Sequence, residues 1–358
     1  MPLKQKTPKF EMTIGTANFS GDDKQLVTQI TVEQVADGCS SFEAVLDDSK
    51  DTFSAKQPIK EGESCSISIG FPDKGGPKKV FSGTVSSVKI KRKEHGRRLV
   101  YVKGFDPLYD LTKGRKRRSW EEMKDSDLAE LILSEHGIKI AEIEDTGIIL
   151  PYIVQNNLND LNFLQERAKR NGYELKYECN DKVDGVVFAK PKRTDSAATL
   201  SYDATKEDSV DAVLQRCDFD TSTANQPSKV VVRSYDPDVP EPIIGEAGEV
   251  TGEAMGGTAV QGNSNATTMI TDSNFSSVEE AERYAQAILD QRAGEFMTGV
   301  GQCFGCPDIL CGHVVTINDV GTEFSGDYYV TECKHSFKAG HSHGFGYFTS
   351  FKVSRTGH

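Results

Sequence analysis

The spacing of apolar residues changes twice along this 358-residue chain, and that change restricts the fold more than any other property of the sequence. Through the first hundred residues, apolar positions alternate or form short dense runs, at 10–14, 26–32, 41–46, 65–71, 80–90 and 98–103. A period of two puts every second side chain on one face of a strand. Turn formers separate the runs, as in Pro72-Asp73-Lys74-Gly75-Gly76. Six short strands at this spacing predict a barrel or a sandwich.

The period then lengthens. SDLAELILSE (126–135) carries Leu128, Leu131 and Ile132 on one helical face, with Ser126 placed to cap it and Gly137 to stop it. A second helix is predicted over 159–171. Asn159 is its N-cap, Leu161, Leu164 and Ala168 recur at three and four, and Gly172 supplies a left-handed exit. With strands near 173–177 and 185–189, this block reads as a small α+β module. The β pattern returns at 210–218 and 229–235 and fills 313–354, most clearly in GYFTSFKV (346–353). Between these, 237–269 is rich in Gly, Pro, Ala, Thr and Asn without a clear period, and reads as a long loop. A helix follows from Ser277, whose spacing to Glu280 is that of a capping box and whose apolar stripe is Val278, Ala281, Ala285 and Ile288.

The expected fold is therefore mainly β with α+β insertions. Residues 1–106 form a first β-barrel, 107–206 the α+β module and 207–236 the start of a second barrel. Residues 237–295 form an insertion of long loop and helix, and 296–358 the remainder of the second barrel. Two internal echoes accompany this division. FSGTVSSVKI (81–90) resembles FSGDYYVTECKHSF (324–337), and VYVKGFDP (100–107) resembles VVVRSYDP (230–237). Their order along the chain is reversed, so one tandem duplication cannot produce both.

Charge is unevenly placed. Residues 78–118 hold fourteen Lys and Arg against three acids, a net of +11, so the remainder carries −23 within a chain total of −12. Such polarity suits contact between unlike surfaces of partners. The basic run KGRKRR (113–118) lacks interleaved aromatics and a recognition helix, so it reads as a solvated or partner-facing loop, and nucleic acid is not the expected partner. No stretch approaches the ~20 apolar residues of a membrane span, and the opening MPLKQKTPKF lacks the apolar core of a secretory leader.

Groups that could carry chemistry are sparse. Eight cysteines in a chain able to build its own cores are expected to be reduced. Cys303, Cys306, Cys311 and Cys333, with His313 and His335, were tested for zinc-ligand spacing, but they offer one C-x-x-C pair where a zinc ribbon uses two. Small buried residues are the expectation, and no metal is assigned. Gly340-His341-Ser342-His343-Gly344 fits the nucleophile-elbow string, yet the residues after it alternate like a strand, so it reads as a polar hairpin loop. Phosphate-loop, dinucleotide and metalloprotease motifs are absent. The acid pairs Glu121-Glu122 and Glu279-Glu280 are placed at helix starts, where the helix dipole favours them. Trp120 reads as an anchor between modules. Tyr347, Phe348 and Phe351 alternate as strand residues with one face in a core. No catalytic, cofactor-binding or metal residue is assigned.

Four strings resemble, in order, the late control protein D family of phage tails. They are GFDPLYDLTKGRKRRSW (104–120), YIVQNNLNDLNFLQERAKRNGYEL (152–175), VRSYDPDVPEPIIGEA (232–247), and FSGDYYVTECKHSF (324–337) with GFGYFTSFKVSR (344–355). The resemblance spans roughly residues 8–355 and extends to the N-terminal part of VgrG proteins and to baseplate hubs of contractile tails and injection systems. It implies a structural protein and not an enzyme, a homotrimer whose two similar barrels per chain make a pseudo-sixfold ring. Its implied partners are an inner tube of hexamers, a separate trimeric spike and other baseplate components. Assembly would occur in the bacterial cytoplasm, within a phage tail or a contractile injection particle. The rival readings are a tail-associated cell-wall hydrolase and a zinc- or carbohydrate-binding module.

Overall fold

The alternating segments of the first hundred residues are strands in a computed structural model, which describes residues 7–20, 26–49, 59–93, 96–235, 241–251, 255, 263–271, 275–339 and 346–357. They are β1 (Lys9–Ile14), β2 (Ala17–Ser20), β3 (Val27–Val35), β4 (Ser41–Asp47), β5 (Ser64–Phe71), β6 (Gly76–Arg92) and β7 (Arg98–Phe105). The neighbour order is β3-β4-β7-β6-β5-β1-β2, antiparallel throughout. Alternate residues such as Phe10, Met12, Ile14, Ile67 and Ile69 point inward and are buried. Strand β6 is long because it changes partner: residues 76–84 pair with β5, and 84–92 with β7.

The middle block contains β8 (Lys116–Met123), α1 (Asp125–Glu135), β9 (Ile140–Ile143), β10 (Leu150–Leu158), α2 (Asp160–Asn171), β11 (Glu174–Cys179) and β12 (Asp184–Ala189). Strands β8 and β10 form a ribbon, and β11-β12-β9 a three-stranded sheet. Leu128, Ile132, Leu164, Leu175 and Phe188 share one core between them. Asn159 caps α2 by accepting the Asn162 N–H at 2.7 Å, and Gly172 leaves it at φ 68°. Ser126 does not cap α1. The helix begins a residue earlier, with Lys124 at the cap position and no side-chain cap bond, because Asp125 is drawn into a buried pair with Arg167 at 2.5 Å.

The rest of the chain forms β13 (Ser196–Ser201), β14 (Ala212–Thr221), β15 (Pro227–Ser234), β16 (Ile243–Ala247), β17 (Asn263–Thr271), α3 (Val278–Gly294), β18 (Met297–Phe304), β19 (Val314–Asn318), β20 (Gly326–Lys338) and β21 (Gly346–Arg355). The ring β19-β13-β14-β18-β21-β20 closes through a β19–β20 ladder, giving a six-stranded barrel. Three expectations need correction. Residues 196–201, placed in the α+β module, are a stave of this barrel. Residues 227–234, placed in the barrel, instead form a separate sheet β16-β15-β17. The predicted loop at 237–269 holds β16 and most of β17, which pair with β15 while α3 packs across β16 and β15. The five-residue length of β16 and the polar composition of β17 hide the period, and Gly245 brings the α3 backbone so close that a β-carbon there would collide with Ala281 and Glu282. Helix α3 itself begins as expected: Ser277 accepts the Glu280 N–H at 3.1 Å.

The two barrels repeat one plan. In chain order β3, β4, β5, β6 and β7 correspond to β14, β18, β19, β20 and β21, and both sets have the neighbour order first-second-fifth-fourth-third, all antiparallel. Strands β1 and β13 take the sixth place, but β1 runs antiparallel to β5 and β13 parallel to β19. Strand β13 closes its ring onto β14, whereas no ladder among the described residues joins β1 to β3, so the first barrel is open. The bulges coincide as well, at Val27/Gln29 with Leu214/Arg216 and at Val85/Ser87 with Val330/Glu332. The 81–90 and 324–337 echo therefore sits on equivalent strands, two residues from the structural register, which matches Thr84 with Tyr329. The other echo does not, since 230–234 lies in β15 outside both barrels.

One strand belongs to both units. The first part of β20 pairs with β19, and after the bulge residues 332–338 pair with β3, so the two barrels share a 13-stranded sheet. Phe337, Tyr347 and Leu310 from the C-terminal part complete the core of the first barrel, with Phe337 4.9 Å from Phe10 between ring centroids.

Candidate functional site

The cysteine and histidine group lies where the barrels meet. His335 is fully buried; Tyr347 Oη lies 2.7 Å from its Nδ1, and Cys333 Sγ 3.3 Å from its Nε2. Cys333 Sγ in turn donates to the Ile309 carbonyl at 3.0 Å. A neutral imidazole satisfies this chain, taking the Tyr347 proton at Nδ1 and donating from Nε2. Burial accordingly pushes the imidazole down to about 4. Burial also pushes the thiols of Cys306 and Cys179 up to about 12, and those of Cys303 and Cys333 well above their ordinary value. Protonated thiols are poor nucleophiles and poor ligands. Among the described residues, no three ligand-type side chains are grouped to hold a metal, and the cysteines are unpaired. His313 sits apart, 3.5 Å from Glu178.

Only the first half of the basic run, 113–115, is a loop. Lys116 begins β8, and the ladder with β10 sends alternate side chains to opposite faces. Lys116 and Arg118 turn inward onto Asp160, at 2.6 and 2.7 Å, where His136 Nε2 also approaches at 2.8 Å. Burial works against the Asp160 carboxylate, but bonds from Lys116, Gln155 and His136 and the charge of Arg118 outweigh it, holding the group at about 2. Arg118 also reaches Glu135 at 2.6 Å, so the exposed cations of this run are Lys113, Arg115 and Arg117. Glu121 and Glu122 lie in this strand and not at a helix start. Trp120 stacks on Phe163 at 5.7 Å and anchors the ribbon inside the α+β unit, not between units.

The residues 340–344 of the elbow-like string lie outside the described residues. Gly346 onward is strand β21, paired with β20 from Lys338, and not the helix that a nucleophile elbow feeds. Tyr347 and Phe351 face the cores, while Phe348 lies on the other face against Phe304.

Two concavities remain. One of about 310 Å³ lies between the barrels and is crossed by the Lys78–Asp308 pair at 2.7 Å. The other, about 1190 Å³, separates the α+β unit from α3 and is lined by charges of both signs, including Lys190, Arg193, Glu279 and Arg283. Cys306 lines the first beside Asp211 and Asp308, but burial pushes its thiol up to about 12.

The outer face of the shared sheet is ordered differently. Cross-strand pairs of opposite charge run along it: Lys334 with Glu33 at 2.7 Å, Lys103 with Glu43 at 2.5 Å, and Lys352 with Glu332 at 2.9 Å. At one end, the far half of β6 carries Lys89, Lys91 and Arg92, all exposed. The sequence signalled these surfaces only as an excess of charge.

The family described as the Alg8 N-terminal domain has a model that matches residues 6–339. No curated protein matches the chain. Among solved structures, the 43 kDa tail protein of prophage MuSo2 from Shewanella oneidensis superposes with a TM-score of 0.70 at 16% identity, covering 98% of this chain and 99% of that one. A tail protein from Neisseria meningitidis MC58 gives 0.68 at 14% identity, over 98% and 97%. An E. coli type VI secretion component, described as similar to the T4 tail proteins gp27 and gp5, gives 0.61 at 10% identity, over 96% and 76%. The fold is thus that of phage tail proteins and of a type VI secretion component.

Proposed function

The chain belongs to the Alg8 N-terminal domain family and carries the fold of phage tail proteins and of a type VI secretion component, and we propose that it is a structural hub of a contractile tail or injection particle. In this reading three copies form a ring that joins an inner tube of hexamers to a trimeric spike, and the chain catalyses nothing. The observation that carries it is the repeat of one strand order in two barrels fused edge to edge within a single polypeptide. Three such chains present six similar barrels, which matches sixfold symmetry on one face while keeping threefold symmetry on the other. The α+β unit and the β15–β17 unit with α3 stand outside the shared sheet and are the surfaces offered to other baseplate components. Among the described residues, no helix is long and apolar enough to cross a membrane.

Mass photometry of the purified chain tests this. Three copies of a 39.3 kDa chain give a species of about 118 kDa. A chain that stays monomeric at every concentration, with tube and spike proteins present, contradicts the hub reading. Turnover of peptidoglycan by the purified chain would favour the hydrolase instead.

A further inference from the structure

The barrels are joined inside the chain by one seam, β20 against β3, and the repeat leaves the counterparts of those two edges open, one on each barrel. Strand β6 is the counterpart of β20 and β14 that of β3. Beyond Thr84 no strand of the described residues covers the outer edge of β6, and beyond Val213 none covers β14. Each edge is a row of backbone donors and acceptors set to receive another strand.

The geometry points to β6 of one copy adding antiparallel to β14 of a second copy, in the register of the internal seam. Aligning the barrels on their bulges carries that register over residue by residue. Lys334 opposite Glu33 becomes Lys89 opposite Asp220; His335 opposite Val32 becomes Ile90 opposite Phe219; Ser336 opposite Thr31 becomes Lys91 opposite Asp218. The internal member of the first pair is an ion pair of 2.7 Å, and its transferred counterpart has the same signs.

Burial and charge agree with this seam. Ile90 is 50% exposed, whereas its counterpart His335, which stands beside Val32 of β3, is fully buried; arrival of β14 would set Phe219 beside Ile90 as Val32 stands beside His335. The far half of β6 is basic through Lys89, Lys91 and Arg92, whereas β14 carries Asp218 and Asp220 against Arg216, which already bonds Asp218 at 2.7 Å. A slip of two residues keeps two opposite-charge pairs but sets Arg92 against Phe219 and strands Ile90 opposite Thr221, so the apolar pair fixes the register. Because the two edges differ, each added copy leaves one edge open until a ring closes. This inference rests on the hub reading and names the strands that would close its ring.

The test is charge reversal with rescue, read by mass photometry over a salt series. Lys89→Glu with Lys91→Glu, and separately Asp218→Lys with Asp220→Lys, should each weaken self-association tenfold or more; the chain carrying all four changes should recover it. The exposed positions leave both barrel cores intact, which circular dichroism checks. Hydrogen exchange on the unaltered chain gives a second readout: amides at 86–92 and 215–221 should gain protection only in the assembled form. If the half-reversed chains assemble as the unaltered one does, if the fourfold variant is not rescued, or if those amides stay unprotected in the assembly, the seam is wrong while the hub reading stands. An unaltered chain that never assembles overturns both.

Discussion

His335 shows how a single residue can stand out in a sequence for the wrong reason. Its spacing to Cys333 suggested ligand chemistry, but the strand period that puts both inward also removes them from water. The buried imidazole has a folded pKa of about 4 against ~6.5 in the unfolded chain, so between these values the unfolded state binds more protons. Its stabilising contribution is complete above pH 6.5 and is lost as pH falls towards 4, by about 2 kcal/mol at pH 5. Asp106 runs the other way. Burial pushes its carboxyl up to about 7 despite bonds from the Ser40 and Leu108 N–H groups, so it favours the folded state as pH falls through the same range. The diagnostic quantity is therefore the difference between the unaltered chain and His335→Gln in urea unfolding at pH 7 and pH 5. That difference should shrink at pH 5; a gap independent of pH would show that His335 does not titrate with unfolding. Asp160 is the site residue that sequence reasoning missed, because nothing in its surroundings in the chain reveals that Lys116, Arg118 and His136 converge on it.

Elements were legible where one face is apolar and the ends carry caps. The caps at Asn159 and Ser277 and the alternation of β1, β5 and β21 follow from local chemistry. Strand β8 escaped because its KRRSWEEM sequence buries cation stems and Trp120 instead of aliphatic residues, and β13 escaped because SAATLS packs through small side chains. Strand β16 owes its state to α3, which arrives later in the chain. Gly245→Val tests that dependence: the added side chain meets the α3 backbone and should push the helix from the sheet. Exchange mass spectrometry should find 278–294 losing protection while β20 and β21 keep theirs; unchanged protection of α3 would show that the close approach is dispensable.

At the scale of the whole molecule, two barrels could be foreseen, but not that they share a sheet. The echo on β6 and β20 marked the repeat, yet a sequence boundary near residue 106 cuts through a unit whose core needs Leu310, Phe337 and Tyr347. A fragment of residues 1–206 would lack these side chains and leave β3 without β20. It should unfold in far less urea than the full chain and bind hydrophobic dyes; a fragment as stable as the full chain would mean that the first barrel is complete alone. Withholding three large side chains from one core costs several kcal/mol, at ~2–5 kcal/mol for each large apolar truncation.

The shared strand also sets an order of events in time. A ribosome finishes β3 some three hundred residues before it makes the half of β20 that covers it. During that interval the β3 edge stands open, and with it a core lacking its last ring from β20. Pairing of such distant segments is slow, and an uncovered strand edge is a template for the same segment of a neighbouring nascent chain. Since the seam that joins the barrels is an edge-to-edge contact, the strand that finishes one molecule could be supplied by another. Completing the polypeptide promptly, with its own C-terminal strands nearest at hand, keeps this first joint inside a single molecule.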